Sequence, residues 1–387
     1  MKKIAIVTRR VIAGGIEKAL ISMLETMDKN KVEVTLFVMA RGGEFERFIP
    51  SWVKIKCLYG EEKTTKEKLI NKIKNLELIE AMKVGIYSIK AFNSKRGYEQ
   101  EKILSKILPK QDEKFDLAIA YHVPASFPVI YVANYIKAKR KVAWIHSDIE
   151  IYKKELENYI DYYTIFDKIF CVSECGRAKF NVQYPYLKNK TEVFYNIINT
   201  DEIKRLSEEG KSFDDNFDGI RILTVGRLTK EKGCDILPEI VSNIINKGFN
   251  IRWYVIGDGE EKERLSKSIS ENNLEDRLFL LGTKNNPYPF FKDCDIYVQP
   301  SRHEGYCITL GEAKRFNKPI ITTNFVGAFE QIDNNETGLI VNFNKQEIIN
   351  SIIEIIKDKE LRLYMINNLK KFKYECNYEM EKIYNLL

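Results

Sequence analysis

The feature that most constrains this chain is an alternation of short, β-branched apolar runs with segments whose apolar residues recur at helical spacing. Ile4–Thr8 is one such run, a glycine pair and a helical pattern from Ile16 follow it, and Val32–Met39 is the next apolar run. A strand, a loop, a helix and a second strand form the repeating unit of a parallel α/β sheet. The sequence therefore predicts an α/β fold.

The alternation occurs in two series. In the first series we predict a helix over Val129–Lys139, and further strands at Phe115–Tyr121, Val142–His146, Lys168–Val172 and Thr191–Tyr195. A polar, turn-rich stretch over 196–218 interrupts the pattern. A six-strand series then follows at Ile222–Val225, Arg252–Ile256, Leu278–Leu281, Ile296–Gln299, Pro319–Thr322 and Leu339–Val341.

A chain of 387 residues is long enough for two or three domains. We place an N-terminal Rossmann-like domain at 1–197 and a C-terminal Rossmann-like domain at 198–370. Helices are predicted from Gln346 onward, and we expect the last one, over 371–387, to cross back onto the first domain. Its tyrosines are the predicted contacts: Tyr374, Tyr378 and Tyr384.

Charge is divided unevenly between the two halves. Residues 1–197 carry 35 Lys and Arg against 24 Asp and Glu, a net charge of +11, whereas residues 198–387 carry 27 against 31, a net charge of −4. A basic half is typical of a surface that faces a membrane, a phosphorylated substrate or nucleic acid, and a solvated lysine-rich surface is the alternative. Residues 61–114 are predicted to be helical, as an amphipathic membrane-facing segment or as an insertion packed on the first domain.

Several classes of protein are excluded by composition. The seven cysteines are scattered and include no C-x-x-C pair, which favours reduced thiols in a cytoplasmic protein. Three histidines are too few for a histidine-rich metal centre. The uncharged stretch Leu117–Ile136 contains Pro124 and Pro128, so strand, loop and helix fit it better than a transmembrane span.

Two glycine-containing loops follow predicted strands. Gly14 and Gly15 precede a helix, where backbone N–H groups can approach a phosphate. Because the pair is not a G-x-G-x-x-G motif, a dinucleotide oxidoreductase is disfavoured. The second loop, Gly226-Arg227-Leu-Thr-Lys-Glu-Lys232-Gly233, carries two cations that can grip a diphosphate, with surface loop cations as the alternative.

The third motif is Ser301-Arg-His-Glu304-Gly305-Tyr306-Cys307-Ile308-Thr309-Leu-Gly-Glu312. We predict that Gly305 opens a helix, with Glu304 in the loop before it and Glu312 within it. Eight residues of helix would advance about 12 Å, comparable with the distance from a ribose to a sugar across a diphosphate. The motifs thus supply two carboxylates that can bind hydroxyl groups, with cations and backbone amides between them that can bind phosphates. This combination indicates a nucleotide-diphosphate-sugar site.

Together these motifs resemble those of family 4 retaining glycosyltransferases of GT-B fold, particularly the members that build bacterial surface and capsular polysaccharides. The resemblance covers nearly the whole chain and also includes Val255-Ile-Gly257-Asp-Gly259, Asn286-Pro-Tyr288-Pro289 and Lys318-Pro-Ile320. It implies two Rossmann-like domains facing a central cleft. It also implies a catalytic role for Glu304, His146, Arg227 and Lys232.

The resemblance further assigns donor-binding roles. Arg227, Lys232 and the backbone of Gly15 would hold the diphosphate, Glu304 the sugar hydroxyls and Glu312 the ribose. His146 would lie near the reacting sugar, with a buried core histidine as the alternative, and His122 is a neighbour without an assigned role. The implied donor-binding residues are Gly14, Gly15, Gly226, Arg227, Lys232, Glu304, Gly305, Tyr306, Cys307, Ile308, Thr309 and Glu312.

The implied reaction moves a hexose or N-acetylhexosamine from a nucleotide-sugar donor, with UDP the family's usual nucleotide, to a glycan or a lipid-diphosphate-linked oligosaccharide. No metal or other cofactor is expected, because Arg227 and Lys232 would offset the negative charge of the departing phosphate. Asp293-Cys-Asp295 spells the D-x-D of metal-dependent transferases, but it falls between a predicted helix and a predicted strand, where a structural role is more ordinary. The acceptor would lie at the cytoplasmic face of the membrane, which the basic first domain could contact.

Three other functions remain open. A sugar-nucleotide 2-epimerase would share the fold but would need more acid and base side chains, and a phosphorylase would need a pyridoxal lysine. A nucleic-acid-binding protein would explain the basic half, yet no recognition helix or stacking platform is visible, so no nucleic-acid partner is expected.

Overall fold

The protein was analysed as a computed structural model that describes residues 1–59, 65–95, 97–372 and 377–387. The chain divides into two compact units. Met1–Ile197 and Cys376–Leu387 form the first unit, and Ile198–Glu375 forms the second. Each unit contains its own parallel β-sheet.

The first unit has a seven-stranded sheet among its described residues, in the order β3-β2-β1-β4-β5-β6-β7. Every pairing in it is parallel, with Ile4 opposite both Val34 and Leu117. Its strands are β1 Lys2–Thr8, β2 Val32–Val38, β3 Lys54–Cys57, β4 Lys114–Ala120, β5 Lys137–Ile145, β6 Lys168–Cys171 and β7 Thr191–Val193. Its helices up to Gln183 are α1 Gly15–Thr26, α2 Thr65–Lys74, α3 Leu78–Phe92, α4 Tyr98–Ser105, α5 Phe127–Tyr135, α6 Lys153–Leu156, α7 Ile160–Tyr163 and α8 Glu174–Gln183.

Two sequence predictions in this unit are wrong in part. The helix predicted over Val129–Lys139 ends at Tyr135, and Lys137 already begins β5. The first half of β5 carries charged, mostly exposed side chains, so it lacks the apolar pattern by which a strand is recognised. Strand β3 was not predicted. It is a four-residue strand at the edge of the sheet, and its two lysines interrupt the apolar pattern by which a strand is recognised.

The helical prediction for residues 61–114 is confirmed only in part: α2, α3 and α4 lie in the segment, whereas residues 106–113 form turns and irregular structure and Lys114 begins β4. Residues 61–64 and 96 are outside the described residues. The interpretation of Leu117–Ile136 as strand, loop and helix is also confirmed, because β4 and α5 occupy it. Among the described helices, none is long and apolar enough to cross a membrane.

The second unit has a six-stranded parallel sheet in the order β10-β9-β8-β11-β12-β13, which confirms the predicted six-strand series. Its strands are β8 Ile220–Val225, β9 Ile251–Ile256, β10 Leu278–Leu280, β11 Ile296–Gln299, β12 Ile320–Thr323 and β13 Gly338–Val341. Its helices are α9 Thr200–Ser207, α10 Leu237–Asn246, α11 Lys262–Glu271, α12 Tyr288–Asp293, α13 Ile308–Arg315, α14 Ala328–Gln331, α15 Lys345–Lys357 and α16 Lys359–Lys371.

The stretch predicted to be turn-rich, 196–218, contains helix α9. The side chain of Asn199 begins the helix by accepting a hydrogen bond from Glu202 N at 3.1 Å. Farther along, Asp215 pairs with Arg221 at 2.6 Å and with Arg252 at 3.0 Å. Burial opposes ionisation of Asp215, but hydrogen bonds from Tyr254, Arg221 and Arg252 outweigh it and lower the pKa of the carboxyl. The segment is therefore fixed onto the second sheet.

The last helix, α17, spans Asn377–Tyr384 and belongs to the first unit. Tyr384 Oη accepts from Asp28 N at 2.9 Å, and Lys382 Nζ donates to Val193 O at 2.8 Å. Ile383 is fully buried. Of the three predicted tyrosine contacts, Tyr384 is observed, Tyr378 instead lies 67% exposed, and Tyr374 is outside the described residues.

We expect Ile383→Ala to lower the free energy of unfolding by about 2–5 kcal/mol, because it removes a fully buried side chain and leaves a cavity. Chemical denaturation followed by circular dichroism measures this. Tyr378→Ala on the same helix is the matched control and should change stability by about 0.5 kcal/mol or less. Equal losses in the two variants would show that α17 is not anchored through its buried face.

Candidate functional site

The site in the second unit lies where its strand order reverses. Strand β8 pairs with β9 on one side and with β11 on the other, so the loops after β8 and β11 leave the same sheet edge side by side. In open parallel sheets this switch point is the usual place for a ligand. The two loops, Gly226–Gly233 and Pro300–Cys307, contain most of the residues that the sequence nominates for donor binding.

These two loops are in close contact. Gly233 has a φ of +72°, and a Cβ atom there would lie 1.8 Å from Pro300 O, so only glycine fits. Arg302 N donates to Glu231 O at 2.7 Å, which joins the loops through the backbone. On the other side, Gly257 packs so closely on Gly226 that a Cβ atom would lie 1.9 Å from Gly226 O.

Arg302 provides a second connection between the loops. Its guanidinium forms a two-pronged ion pair with Asp235 at 2.6 and 2.8 Å, donates to Lys230 O, and lies 4.2 Å from the centre of the Phe343 ring. Burial opposes ionisation of Asp235, but the hydrogen bonds from Arg302 outweigh it and lower the pKa of the carboxyl. Sequence reasoning missed Arg302 and Asp235, although Arg302 stands inside the quoted motif.

An ion pair joins the two loops at their centre. Lys232 Nζ lies 2.5 Å from Glu304 Oε1, and the two side chains are 20% and 8% exposed. Burial by itself would lower the pKa of Lys232, but the Glu304 carboxylate more than offsets this and raises it. Lys232 is therefore positively charged at neutral pH, and the Glu304 carboxylate partly neutralises this charge.

Glu304 is positioned by a chain of buried hydrogen bonds from strand β11. Tyr297 Oη donates to Gln299 Oε1 at 2.5 Å, Gln299 Nε2 donates to Ser301 Oγ at 2.8 Å, and Ser301 Oγ donates to Glu304 Oε1 at 2.9 Å. Thr309 Oγ1, at the start of α13, also donates to Gln299 Oε1, at 3.3 Å. Because this chain begins on a strand, the carboxylate is held in place without a ligand.

Glu312 lies within α13, as predicted, and is only 1% exposed. Tyr288 Oη, from the Asn-Pro-Tyr-Pro motif on α12, donates to Glu312 Oε1 at 3.1 Å. The prediction that Gly305 opens the helix is wrong, since α13 begins at Ile308 with Cys307 as its N-cap residue. The separation of the two glutamates is thus set by a loop followed by one helical turn, not by eight residues of helix.

At the start of α13, the backbone N–H of Cys307 is paired with the Gln331 side chain, whereas the next two N–H groups lie at the helix N-terminus. With its side-chain amide oriented to satisfy both groups, Gln331 donates to Cys307 O at 2.9 Å and accepts from Cys307 N at 3.3 Å. The N–H groups of Ile308 and Thr309 remain at the helix N-terminus, where a phosphate is favoured. Burial raises the pKa of the Cys307 thiol to about 12, consistent with the absence of an assigned thiol role.

Arg227 is exposed at the beginning of its loop, and Gly226 and Gly305 are half-buried. Tyr306 is half-buried beside Cys307. The structure thus brings Lys232, Glu304, Glu312 and the N-terminus of α13 to one sheet edge of the second unit. The partners that position them, Tyr288, Gln299 and Ser301, were not predicted as site residues.

The first unit places the other candidates at the corresponding edge of its own sheet. Gly14 is the N-cap residue of α1, which begins at Gly15, as the glycine-loop pattern predicted. Glu17 lies in the first turn of α1 and is buried, so this N-terminus already faces a carboxylate. A phosphate approaching Gly15 would therefore also meet a negative side chain.

His146 follows β5 and is 7% exposed, with its ring 4.3 Å from that of Tyr121. Burial, together with His122, lowers its pKa well below 6.5, and burial together with Arg9 lowers the pKa of His122 to about 3. Both imidazoles are therefore neutral at pH 7. His146 Nε2 and His122 Nδ1 have no hydrogen-bond partner among the described residues, a property suited to a polar ligand.

The Asp293-Cys-Asp295 motif occupies a structural position. Asp293 is the last residue of α12 and accepts a hydrogen bond from Ser212, and Asp295 accepts from Arg221 N at 2.8 Å at the start of β11. Throughout the described part of the chain, no three His, Cys, Asp or Glu side chains are grouped closely enough to hold a metal ion.

Comparison with known proteins identifies the class of protein to which this two-unit α/β chain belongs, the glycosyltransferases. Residues 208–372 match the family described as glycosyl transferases group 1. MJ1178 of Methanocaldococcus jannaschii, named as an uncharacterized glycosyltransferase, is 31% identical over 279 residues, which cover 70% of this chain and 73% of that protein. The chain therefore belongs to the glycosyl transferases group 1 family.

Two further relatives are similar to this chain over a shorter stretch. The Staphylococcus aureus capsular polysaccharide biosynthesis glycosyltransferase CapM is 33% identical over 170 residues, covering 42% of each chain. A Campylobacter jejuni 4-α-N-acetylgalactosaminyltransferase, named for a diphospho-undecaprenol-linked acceptor, is 30% identical over 183 residues, covering 47% of this chain and 48% of its own length. The match therefore spans about half of each of these two relatives.

Anabaena HepE, solved with UDP-glucose, is similar over 100% of this chain and 99% of its own, with a TM-score of 0.70 and 15% identity. This likeness confirms the predicted GT-B fold.

The Arg302–Asp235 pair provides a test of how the site is held. Because the pKa of Asp235 is lowered in the folded protein, the pair stabilises the fold above the ordinary carboxyl pKa of about 3.9 and loses this effect as pH falls through the lower folded value. Asp235→Asn should therefore lower the free energy of unfolding by about 1.5–3 kcal/mol at pH 7. Below about pH 4, the difference in free energy of unfolding between the variant and the natural protein should become smaller. Urea denaturation across pH 3–8 measures it, and a difference that does not change with pH would contradict the ion-pair account.

Proposed function

We propose that this protein is a retaining glycosyltransferase of the family 4 type. It transfers a hexose or N-acetylhexosamine from a UDP-sugar to a glycan or lipid-diphosphate-linked oligosaccharide, in the cytoplasmic stage of cell-surface polysaccharide synthesis. The observation that carries the proposal is the pairing of Glu304 with Lys232, beside Glu312 and the N-terminus of α13, at the switch point of the second sheet.

The charges of the site suit a nucleotide sugar. Lys232 and Arg227 carry the positive charge that a diphosphate needs, and the N-terminus of α13 adds a partial positive charge. Glu304 and Glu312 are carboxylates, which accept hydrogen bonds from hydroxyl groups. Without Lys232, the negative charges of Glu304 and a diphosphate would repel each other, so the ion pair allows both in one site.

The proposed donor and acceptor agree with the relatives. HepE was solved with UDP-glucose, and the Campylobacter relative is named for a lipid-diphosphate acceptor. CapM is named for capsular polysaccharide synthesis. These names apply to the other proteins, and they support the same classes of donor, acceptor and process here.

In the proposed reaction, the acceptor hydroxyl attacks the anomeric carbon from the face that the diphosphate leaves. The bond between the sugar and the diphosphate oxygen breaks, and that oxygen takes the acceptor proton. Lys232 and Arg227 offset the negative charge that develops on the departing diphosphate. Glu304 holds the sugar hydroxyls, Glu312 holds the ribose, and neutral His146 serves as a hydrogen-bonding group near the sugar rather than as a charged acid.

The first test is binding and transfer with a panel of UDP-, GDP- and ADP-sugars. We expect a UDP-sugar to bind. Glu312→Gln should weaken this binding by about 1.5–3 kcal/mol, roughly ten- to 150-fold, because a charged acceptor for hydroxyls is lost. Lys232→Met should reduce turnover roughly 100- to 1000-fold. Titration calorimetry and a transfer assay read by NMR measure these effects and the anomeric configuration of the product.

Glu263→Gln, an exposed change on α11 in the same unit, is the control and should leave both values unchanged. A product with inverted anomeric configuration would contradict the retaining reaction. Binding that Glu312→Gln does not alter would remove the ribose assignment, and the absence of any nucleotide-sugar binding would contradict the proposed function.

The second test concerns metal dependence. The diphosphate charge is assigned to Lys232, Arg227 and the α13 N-terminus. We therefore expect the rate of transfer in EDTA to remain within about twofold of the untreated rate. A transfer assay with and without added manganese or magnesium measures this. Loss of transfer in EDTA, with recovery on addition of manganese, would show that a metal carries part of the phosphate charge.

A further inference from the structure

Helix α3 presents its large apolar side chains to the outside of the first unit. Leu78, Met82, Ile86, Ile89 and Phe92 recur at intervals of three or four residues and therefore share one face. Their exposed fractions range from 44% to 86%. Exposed apolar side chains are ordinary when single, but a continuous stripe of five on one helix marks an interaction surface.

The buried face of α3, which adjoins this stripe, carries small side chains. Ala81, Val84 and Ala91 are the residues of this helix that are buried against the protein. At Gly85, a Cβ atom would lie 3.8 Å from Leu69, so α2 packs closely on this part of α3. A helix that stabilised only the folded chain would bury its larger apolar side chains, and α3 has the reverse arrangement.

The surface continues into α2 and the turn between the helices. Ile70 and Ile73 of α2 are exposed, and so is Leu76 in the turn. Leu76 adopts a φ of +60°, a left-handed conformation that is uncommon for a leucine. We call the exposed apolar residues of α2, the turn and α3 the α2–α3 apolar face; they are Ile70, Ile73, Leu76, Leu78, Ile79, Met82, Ile86, Ile89 and Phe92.

Lysines accompany this face. Residues 65–92 contain six lysines against three glutamates. Lys83 and Lys90 are exposed and, seven residues apart, lie along one edge of the α3 stripe. Glu80 pairs with Lys83 at 2.9 Å and Glu77 pairs with Lys72 at 2.7 Å, which partly neutralises these two lysines, but six lysines against three glutamates leave the segment an excess of three positive charges. The margin of the apolar face is therefore positively charged.

We propose that the α2–α3 apolar face inserts into the interfacial region of an anionic lipid bilayer. A helix lying in the plane of the interface buries its apolar side chains at the acyl boundary, while lysines at its margin reach the charged headgroups. A second copy of this chain would bring the same lysine-rich margin opposite itself, which is unfavourable, whereas an anionic bilayer complements it. The 15 residues of α3 would lie along about 22 Å of membrane surface.

The α2–α3 apolar face lies wholly in the first unit, and its insertion into a bilayer would need neither donor nor acceptor. Membrane insertion is thus separate from the proposed reaction. Vesicle binding is measured without nucleotide sugar, so a failure of this inference leaves the catalytic proposal intact, and the reverse also holds.

The test is flotation of the full chain with vesicles of phosphatidylethanolamine and phosphatidylglycerol, and with vesicles of phosphatidylcholine alone. We expect binding to the anionic vesicles, and at least a tenfold loss of the partition coefficient in the double variant Ile89→Ser/Phe92→Ser. In the double variant Lys83→Gln/Lys90→Gln, the partition coefficient on anionic vesicles should fall tenfold or more at low salt. The fall should be smaller at high salt, where charges are screened.

The matched control is Val182→Ser/Tyr186→Ser, which removes two exposed apolar side chains of the same unit away from this face. It should bind vesicles as the natural protein does. Absence of binding to anionic vesicles, or equal loss in the control, would overturn the proposal. So would a dimer in light scattering that Ile89→Ser/Phe92→Ser converts to monomer, because the occupant would then be a second copy.

Depth of insertion gives an independent measurement. Phe92→Trp places a fluorophore on the face. Of the three natural tryptophans, Trp144 and Trp253 are buried and Trp52 is half-buried, so the natural protein supplies the background signal. We expect bromine-labelled lipids to quench Phe92→Trp more strongly than the natural protein. Equal quenching of the two proteins would show that the face does not enter the bilayer.

Discussion

The close approach of the loops after β8 and β11 is the constraint on which the site in the second unit depends. It exists because parallel strands end at one edge, and because Gly233 lets one backbone lie against Pro300 O where a Cβ atom would collide. Arg302 and Asp235 then fix the two loops with an ion pair and backbone contacts. Only in this arrangement can Lys232 reach Glu304, whose loop follows a strand more than sixty residues later in the chain.

The site is organised before any ligand binds. The chain of hydrogen bonds from Tyr297 through Gln299 and Ser301 holds Glu304, and Tyr288 holds Glu312. Neither carboxylate needs a sugar to order it, so little conformational entropy is lost on binding. The positive charge of Lys232 is also partly neutralised in advance, which reduces the cost of keeping a buried cation until a diphosphate arrives.

The sequence was most informative where apolar patterns were strong and where motifs were complete. The six strands of the second sheet and the position of Glu312 in a helix could be predicted, because buried parallel strands are continuous apolar runs. Strand β3 and the start of β5 could not, because their lysines give no apolar signal. Tyr288 and Asp235 were missed as site residues because each acts through a contact 24 or 67 residues away in sequence, which spacing alone does not reveal. Gln299 was missed because its place at the end of a strand does not show that its side chain donates to Ser301.

Helix α17 has a consequence for the order in which the protein is made. It completes the first unit, through Ile383 and the contacts of Tyr384 and Lys382, but it lies after the whole of the second unit in the chain. At ribosomal rates of about 5–20 residues per second, the intervening stretch takes on the order of ten to forty seconds to synthesise. During translation, the surface of the first unit that receives α17 is therefore exposed while the second unit can already fold, so nascent chains should need protection at that surface.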